Sequence, residues 1–147
     1  MKEKSEKSLT ISYLAGPYSS CSKKEHEINL GRLYTYYYLL TSEDHGPIIC
    51  PPLMTAGFDN SPRTKDIDYI FYCLRLLSSC DRVVVVPDFS ASEGTKKEME
   101  YAEQNNITVE LLPKLTERDI SELKSELTFL SNYNLAALYG LDYLRSL

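Results

Sequence analysis

Apolar residues in this chain fall into short continuous runs, separated by longer stretches where they recur every three or four positions. Residues 9–15, LTISYLA, alternate and then run apolar up to Gly16-Pro17, predicting a first strand stopped by a turn. From about Lys23 to Ser42 the apolar positions Ile28, Leu30, Leu33, Tyr37 and Leu40 keep helical spacing, and His45-Gly46-Pro47 ends the segment. PIICPPL then predicts a short buried strand closed by a double proline, and 54–64 has loop composition. Residues 65–80 predict a helix with Ile67, Ile70, Phe71, Leu74 and Leu77 on its inner face. RVVVVP follows, four valines with no polar alternation, as in a strand covered on both faces within a parallel sheet. A helix from about Ser92 to Asn105, a strand at 107–112 and two further helices near 116–127 and 129–144 complete the chain. Strands alternating with helices predict an α/β domain: a three-layer, doubly wound parallel sheet of the flavodoxin or Rossmann kind with extra C-terminal helices. No repeat or linker divides it, so residues 9–147 form one domain behind a disordered polar tail at 1–8.

Charge and composition narrow the function classes. A net charge of −5, with Lys23-Lys24 the longest basic cluster, argues against a nucleic-acid polymer as partner. No stretch is long enough to span a membrane, and MKEKSEKSLT lacks the apolar core of a signal peptide. Cys21, Cys50, Cys73 and Cys80 show no CxxC spacing and only His26 and His45 stand beside them, so a zinc site is not expected. Reduced thiols in a cytoplasmic protein are the default. No G-x-x-x-x-G-K pattern exists, which excludes a P-loop enzyme. Twelve tyrosines, several in YTYYYLL at 34–40, predict a helix face packed on the sheet or on a second subunit.

In a sheet of this kind ligands bind beyond the carboxyl ends of the strands, near the point where strand order reverses. The residues to inspect are therefore Gly16, Pro17, Tyr18 and Ser19 after the first strand and Asp88 to Gly94 after the valine strand. Ser92 suits a helix N-cap, and Gly94 and Thr95 fall in the first turn, whose free N–H groups can hold an anion. Gly94, Glu98 and Ala102 form one i, i+4 row, placing Glu98 at the margin of the buried face, with Glu93 and Lys97 able to pair on the solvent side. Partial burial would raise the Glu98 pKa. From the helical wheel alone, Glu98 is equally well explained as one more charge on a Glu/Lys-rich helix.

Two segments together resemble the nucleoside 2-deoxyribosyltransferase superfamily: YLAGP at 13–17, and Ser92-x-Gly94-Thr95-x-x-Glu98-x-x-Tyr101-Ala102. Between them Asp81-Arg82-Val83-Val84-Val85-Val86 is similar to the family's aspartate and apolar strand, and the likeness in layout covers residues 10–112. The resemblance implies cleavage or transfer at the N-glycosidic bond of 2′-deoxyribonucleosides or their 5′-monophosphates, through a covalent glycosyl-glutamate intermediate and without metal or cofactor. By position, Glu98 would be the nucleophile and Tyr13 its orienting partner. Gly16 would admit the sugar or phosphate to the backbone, and Ser92 with the first amides of the helix would meet the 5′ end. Pro17, Tyr18, Ser19, Gly94 and Thr95 would complete the substrate contacts. The family carries an aspartate about two turns before the strand that begins at Asp81, where this chain has Cys73. Asp66 and Asp68 lie one to two turns earlier, with Asp68 the candidate for the proton on the leaving base, and Asp88 is another base-side candidate. The monophosphate hydrolases of the superfamily have an arginine in the loop after the first strand, where this chain has PYSSCSKK. The resemblance also implies a homodimer or larger homo-oligomer, with 34–38 and 128–147 as contact surfaces.

Three other readings are open: a non-catalytic nucleotide-binding domain, which the missing aspartate favours; a glycohydrolase acting on NAD or another ribosyl cofactor; and an interaction protein working through its Tyr-rich and C-terminal helices.

Overall fold

The computed structural model describes residues 10–20, 22–56, 58 and 61–147; the expected tail at 1–8, Cys21 and part of the 54–64 loop lie outside them. Among the described residues the chain forms four strands and six helices. In order these are β1 (Ser12–Ala15), α1 (Lys23–Ser42), β2 (Ile48–Ile49), α2 (Pro51–Met54) and α3 (Tyr69–Leu77), then β3 (Arg82–Val85), α4 (Glu93–Gln104), β4 (Thr108–Leu111), α5 (Glu117–Leu130) and α6 (Ala136–Ser146). The strands make one all-parallel sheet in the order β2-β1-β3-β4, so strand order reverses between β1 and β3.

Every side chain of β1 is buried, as are Val83, Val84, Val85 and Val86, because helices cover both faces of the sheet. Strand alternation sends Tyr13, Ala15, Val83 and Val85 to one face, against Cys73 and Leu77 of α3 and Ala102 of α4. Leu14, Val84 and Val86 go to the other, against Leu33, Tyr36 and Leu40 of α1. Each buried valine or leucine contributes about 1.5–3 kcal/mol. At the amino ends of the strands Arg82 ties three of them together, donating from Nε to Ser12 (2.6 Å) and from Nη1 to Glu110 (3.0 Å). Asp81 accepts from the Ile11 amide at 2.7 Å, so it locks β1 beside β3 rather than facing the ligand end.

The C-terminal helices do not lie on the sheet. Leu123, Leu127, Leu141 and Leu144 of α5 and α6 pack over the outer side of α1, against Ile28, Tyr34, Tyr38 and Leu39. Helix α1 is thus enclosed on two sides, and Gly31 is obligatory there: a Cβ would run into the Tyr139 carbonyl oxygen of α6. The tyrosine row divides between two surfaces. Tyr36 packs toward the sheet, as one of the two alternatives has it, and donates to the Pro113 carbonyl (3.1 Å), while the half-buried Tyr34 and Tyr38 pack against the chain's own C-terminal hairpin.

Two other expectations shift. PIICPPL is a two-residue strand followed by a single helical turn, because Pro51 and Pro52 suit the first positions of a helix, where no N–H is needed. The 65–80 helix begins only at Tyr69, where the Asp68 carboxylate caps the Phe71 amide. Ile67, expected inside, thus falls before the helix and is exposed; within it Cys73 and Leu77 pack inward, whereas Phe71, also expected inside, is exposed. No helix among the described residues is long and apolar enough to cross a membrane.

Candidate functional site

A cavity of about 480 Å³ opens at the carboxyl ends of β1 and β3, at the reversal in strand order. Its floor is Tyr13 and the turn Gly16 to Ser19; one wall is the start of α4 with Glu98; the opposite wall is a row of α1. Cys73 closes the deep end.

Ser92 caps α4 as its residue type predicts, accepting from the Thr95 amide at 3.2 Å and bonding the Thr95 hydroxyl at 2.8 Å. The inward row of α4 is Thr95, Glu98 and Ala102. Gly94, expected in that row, is exposed at the cavity mouth, where a Cβ would meet nothing within 4 Å. Glu93 pairs with Lys96 at 3.6 Å, not with Lys97.

Glu98 is only 8% exposed and has no cationic partner among the described residues. Burial raises its pKa from 4.5 to about 7, opposed in part by the Tyr13 hydroxyl. That hydroxyl is fully buried and meets no partner at hydrogen-bonding geometry. It lies close enough to Glu98 and Cys73 for each to perturb the others, and burial pushes its own pKa far above the ordinary phenol range. A buried hydroxyl left unpaired costs about 1–3 kcal/mol, so it stands as an uncommitted donor beside a reluctant carboxylate. The Cys73 thiol is pushed up to about 11, chiefly by burial, and is a neutral neighbour at physiological pH.

The remaining expected residues separate into those that line the cavity and those that do not. Pro17, Tyr18, Ser19, Asp88, Ser92, Gly94 and Thr95 line it. Gly16 lines it too, but its missing side chain is required by packing: a Cβ would stand 2.5 Å from Val86 and 3.0 Å from Leu33, so the expected role in admitting a ligand is not what excludes larger residues. Asp88 adopts a positive φ of 64° and pairs with Lys114 at 3.8 Å. Asp68 is the correction. Spent on capping α3 and exposed, it does not line the cavity, and Cys73 occupies the place the expected acid would take.

Sequence reasoning missed the α1 wall. Glu25, Asn29 and Arg32, spaced i, i+4, i+7, share one helix row facing the cavity. Asn29 is buried and donates to the Tyr18 carbonyl (3.2 Å) while accepting from Arg32 Nη1 (3.1 Å), joining the turn after β1 to α1. Two polar residues inside an otherwise apolar stripe were the available signal. Beyond Tyr18 and Ser19 a second cavity of about 330 Å³ has an aromatic wall. There Tyr18 lies 5.8 Å from Tyr69, and Tyr69 stacks on Tyr72 at 6.1 Å.

A family described as a domain of unknown function, DUF7768, matches residues 10–112. The chain belongs to that family. No curated protein and no solved structure matches it. The DUF7768 region holds the whole sheet and both Tyr13 and Glu98, and it ends before α5 and α6.

Proposed function

We propose that this DUF7768 protein cleaves or transfers at the N-glycosidic bond of 2′-deoxyribonucleosides or their 5′-monophosphates, with Glu98 as nucleophile. The observation that carries the reading is the buried pair of Glu98 and the unpartnered Tyr13 hydroxyl, set in a cavity of small-molecule size at the reversal point of a parallel sheet. The order β2-β1-β3-β4, with helices on both faces, supports the doubly wound, flavodoxin-like form of the fold.

In the proposed reaction the Glu98 carboxylate attacks C1′. The C1′–N bond breaks with its electron pair going to the base, which takes a proton from solvent, and a C1′–O ester to Glu98 forms. Water or a second base then attacks C1′, gives up its proton to solvent, and returns Glu98 to its carboxylate form. A pKa of about 7 leaves a useful ionised fraction at neutral pH while keeping the carboxylate poorly solvated and reactive. Tyr13 stands beside it, and its uncommitted hydroxyl favours the charged form. The aromatic wall of Tyr18, Tyr69 and Tyr72 suits a stacked nucleobase. At the turn between α5 and α6, exposed Phe129, Tyr133 and Leu135 support a homo-oligomer as the working form.

The test is base release from a panel of deoxynucleosides and deoxynucleoside 5′-monophosphates, with and without acceptor bases, for wild type and Glu98→Ala. Wild type releases base and the variant loses at least about 100-fold in rate. Equal, slow release by both would end the assignment. Cys73 at the family's aspartate position favours one second reading, a non-catalytic binder; it predicts tight binding of the same panel with no release of base.

A further inference from the structure

Arg32 is an anomaly that the glycosidic chemistry leaves unexplained. It lines the cavity, its Nε is buried without an acceptor, and the groups it meets, the Asn29 side chain at 3.1 Å from Nη1 and Tyr143, are neutral. No carboxylate among the described residues pairs with it. A half-buried guanidinium with no counter-ion keeps donors to spare, and its delocalised fork is built to hold an oxyanion on two N–H groups.

Apart from Glu98, the acids around the same cavity are already engaged. Glu25 accepts from the Ser20 hydroxyl at 3.0 Å, Asp88 faces Lys114 at 3.8 Å, and Glu93 faces Lys96 at 3.6 Å. Arg32 is thus the uncommitted charge of that end of the pocket. Opposite it, the leading amides of α4 have no carbonyl one turn back to bond, and the space before Gly94 is open.

What holds Arg32 in place comes from the C-terminal hairpin. Its Cζ lies 5.2 Å from the centre of the Tyr143 ring, and Tyr143, on α6, is 3% exposed and part of the core that α5 and α6 build.

We propose that Arg32 is the specificity-determining residue for a phosphomonoester on the substrate, and that Tyr143 is its positioning residue. The inference rests on the glycosidic reading for the identity of that group, the 5′-phosphate of a nucleotide. Arg32 would receive two phosphate oxygens and the first amides of α4 another, placing the sugar between this anion site and Glu98. The C-terminal hairpin then belongs to the substrate site through one aromatic ring.

The test uses the full chain and calorimetric titration with inorganic phosphate, 2-deoxyribose 5-phosphate and 2-deoxyribose. Wild type binds the sugar phosphate more tightly than free phosphate, and Arg32→Gln weakens both phosphate ligands by about 10- to 100-fold relative to 2-deoxyribose. Arg32→Lys recovers part of the loss, since it keeps the charge and gives up the fork. Tyr143→Phe retains binding and Tyr143→Leu weakens it about tenfold, with a raised KM for monophosphates and little change in kcat. Circular dichroism checks folding, and if Tyr143→Leu does not fold, the Arg32 variants still decide. No phosphate binding by wild type, or equal weakening of 2-deoxyribose and its phosphate in Arg32→Gln, overturns the proposal. These titrations do not involve bond cleavage. A protein that binds phosphate through Arg32 yet never releases base would refute the glycosidic reading and leave this one standing. Base release at an unchanged monophosphate-to-nucleoside ratio in Arg32→Gln would do the reverse.

Discussion

Replacing Glu98 with glutamine should stabilise the protein in alkaline solution and leave it nearly unchanged in acid. The folded chain holds the Glu98 proton more tightly than the unfolded chain, with a pKa of about 7 against 4.5. A group raised in this way contributes its full stability below the unfolded value and loses it as pH rises through the folded one. The interval is worth roughly 3 kcal/mol, most of it gone by pH 8. Glutamine has nearly the same shape and never ionises, so Glu98→Gln escapes the loss. Its advantage over wild type should grow from under about 1 kcal/mol at pH 5 to about 2–3 kcal/mol at pH 8.5. For a chain of this size that corresponds to a melting temperature higher by about 5–10 °C. The neighbouring groups do not confuse the comparison: Tyr13, Cys50 and Cys73 are all pushed upward by burial and stay protonated across the range. Every other titration is common to both proteins and cancels in the difference. Urea unfolding of both chains at pH 5, 7 and 8.5 measures it. A difference that does not change with pH, or a Glu98→Gln chain less stable than wild type at pH 8.5, would refute the view of Glu98 as a desolvated acid.

Tyr13→Phe removes a buried hydroxyl that meets no partner at hydrogen-bonding geometry, so stability should hold or rise, by up to about 1–3 kcal/mol. The same hydroxyl lowers the Glu98 pKa, so its loss should move the midpoint of the pH–rate profile above 7 and cut the neutral rate about tenfold or more; an unmoved midpoint would remove Tyr13 from the mechanism. Gly31→Ala should destabilise by about 1–3 kcal/mol in thermal melts, although alanine is the better helix former, because the added methyl meets the Tyr139 carbonyl; a neutral outcome would contradict the packing of α1 on α6.

The parts of the fold legible in the sequence were those coded locally. An uninterrupted valine run needs cover on both faces, so β3 and the parallel sheet followed from it, and Ser92 announced the start of α4. Glu98 was legible for the same reason, since the phase of a capped helix fixes which residues look inward. In α3 the apolar spacing misled: Ile67, Ile70, Phe71, Leu74 and Leu77 suggest one inner face, but packing against the sheet turns Cys73 and Leu77 inward and leaves Phe71 exposed. The tyrosine row was legible only in part. Its aromatic character was plain, but which surface covers it depends on where residues 117–146 fold back, and nothing in 34–40 encodes that. Arg32 and Asn29 were missed because a polar pair on a long helix looks like its solvent side until the hairpin closes over α1.

That enclosure of α1 means that the unit of homology and the unit of folding do not coincide. A polypeptide ending at residue 112 would keep every strand and Glu98, yet it would leave Ile28, Tyr34, Tyr38 and Leu39 bare along one helix and Arg32 without its ring. Relatives sharing only the matched region must find another lid for that helix, and each choice of lid would set a different neighbour beneath the same arginine.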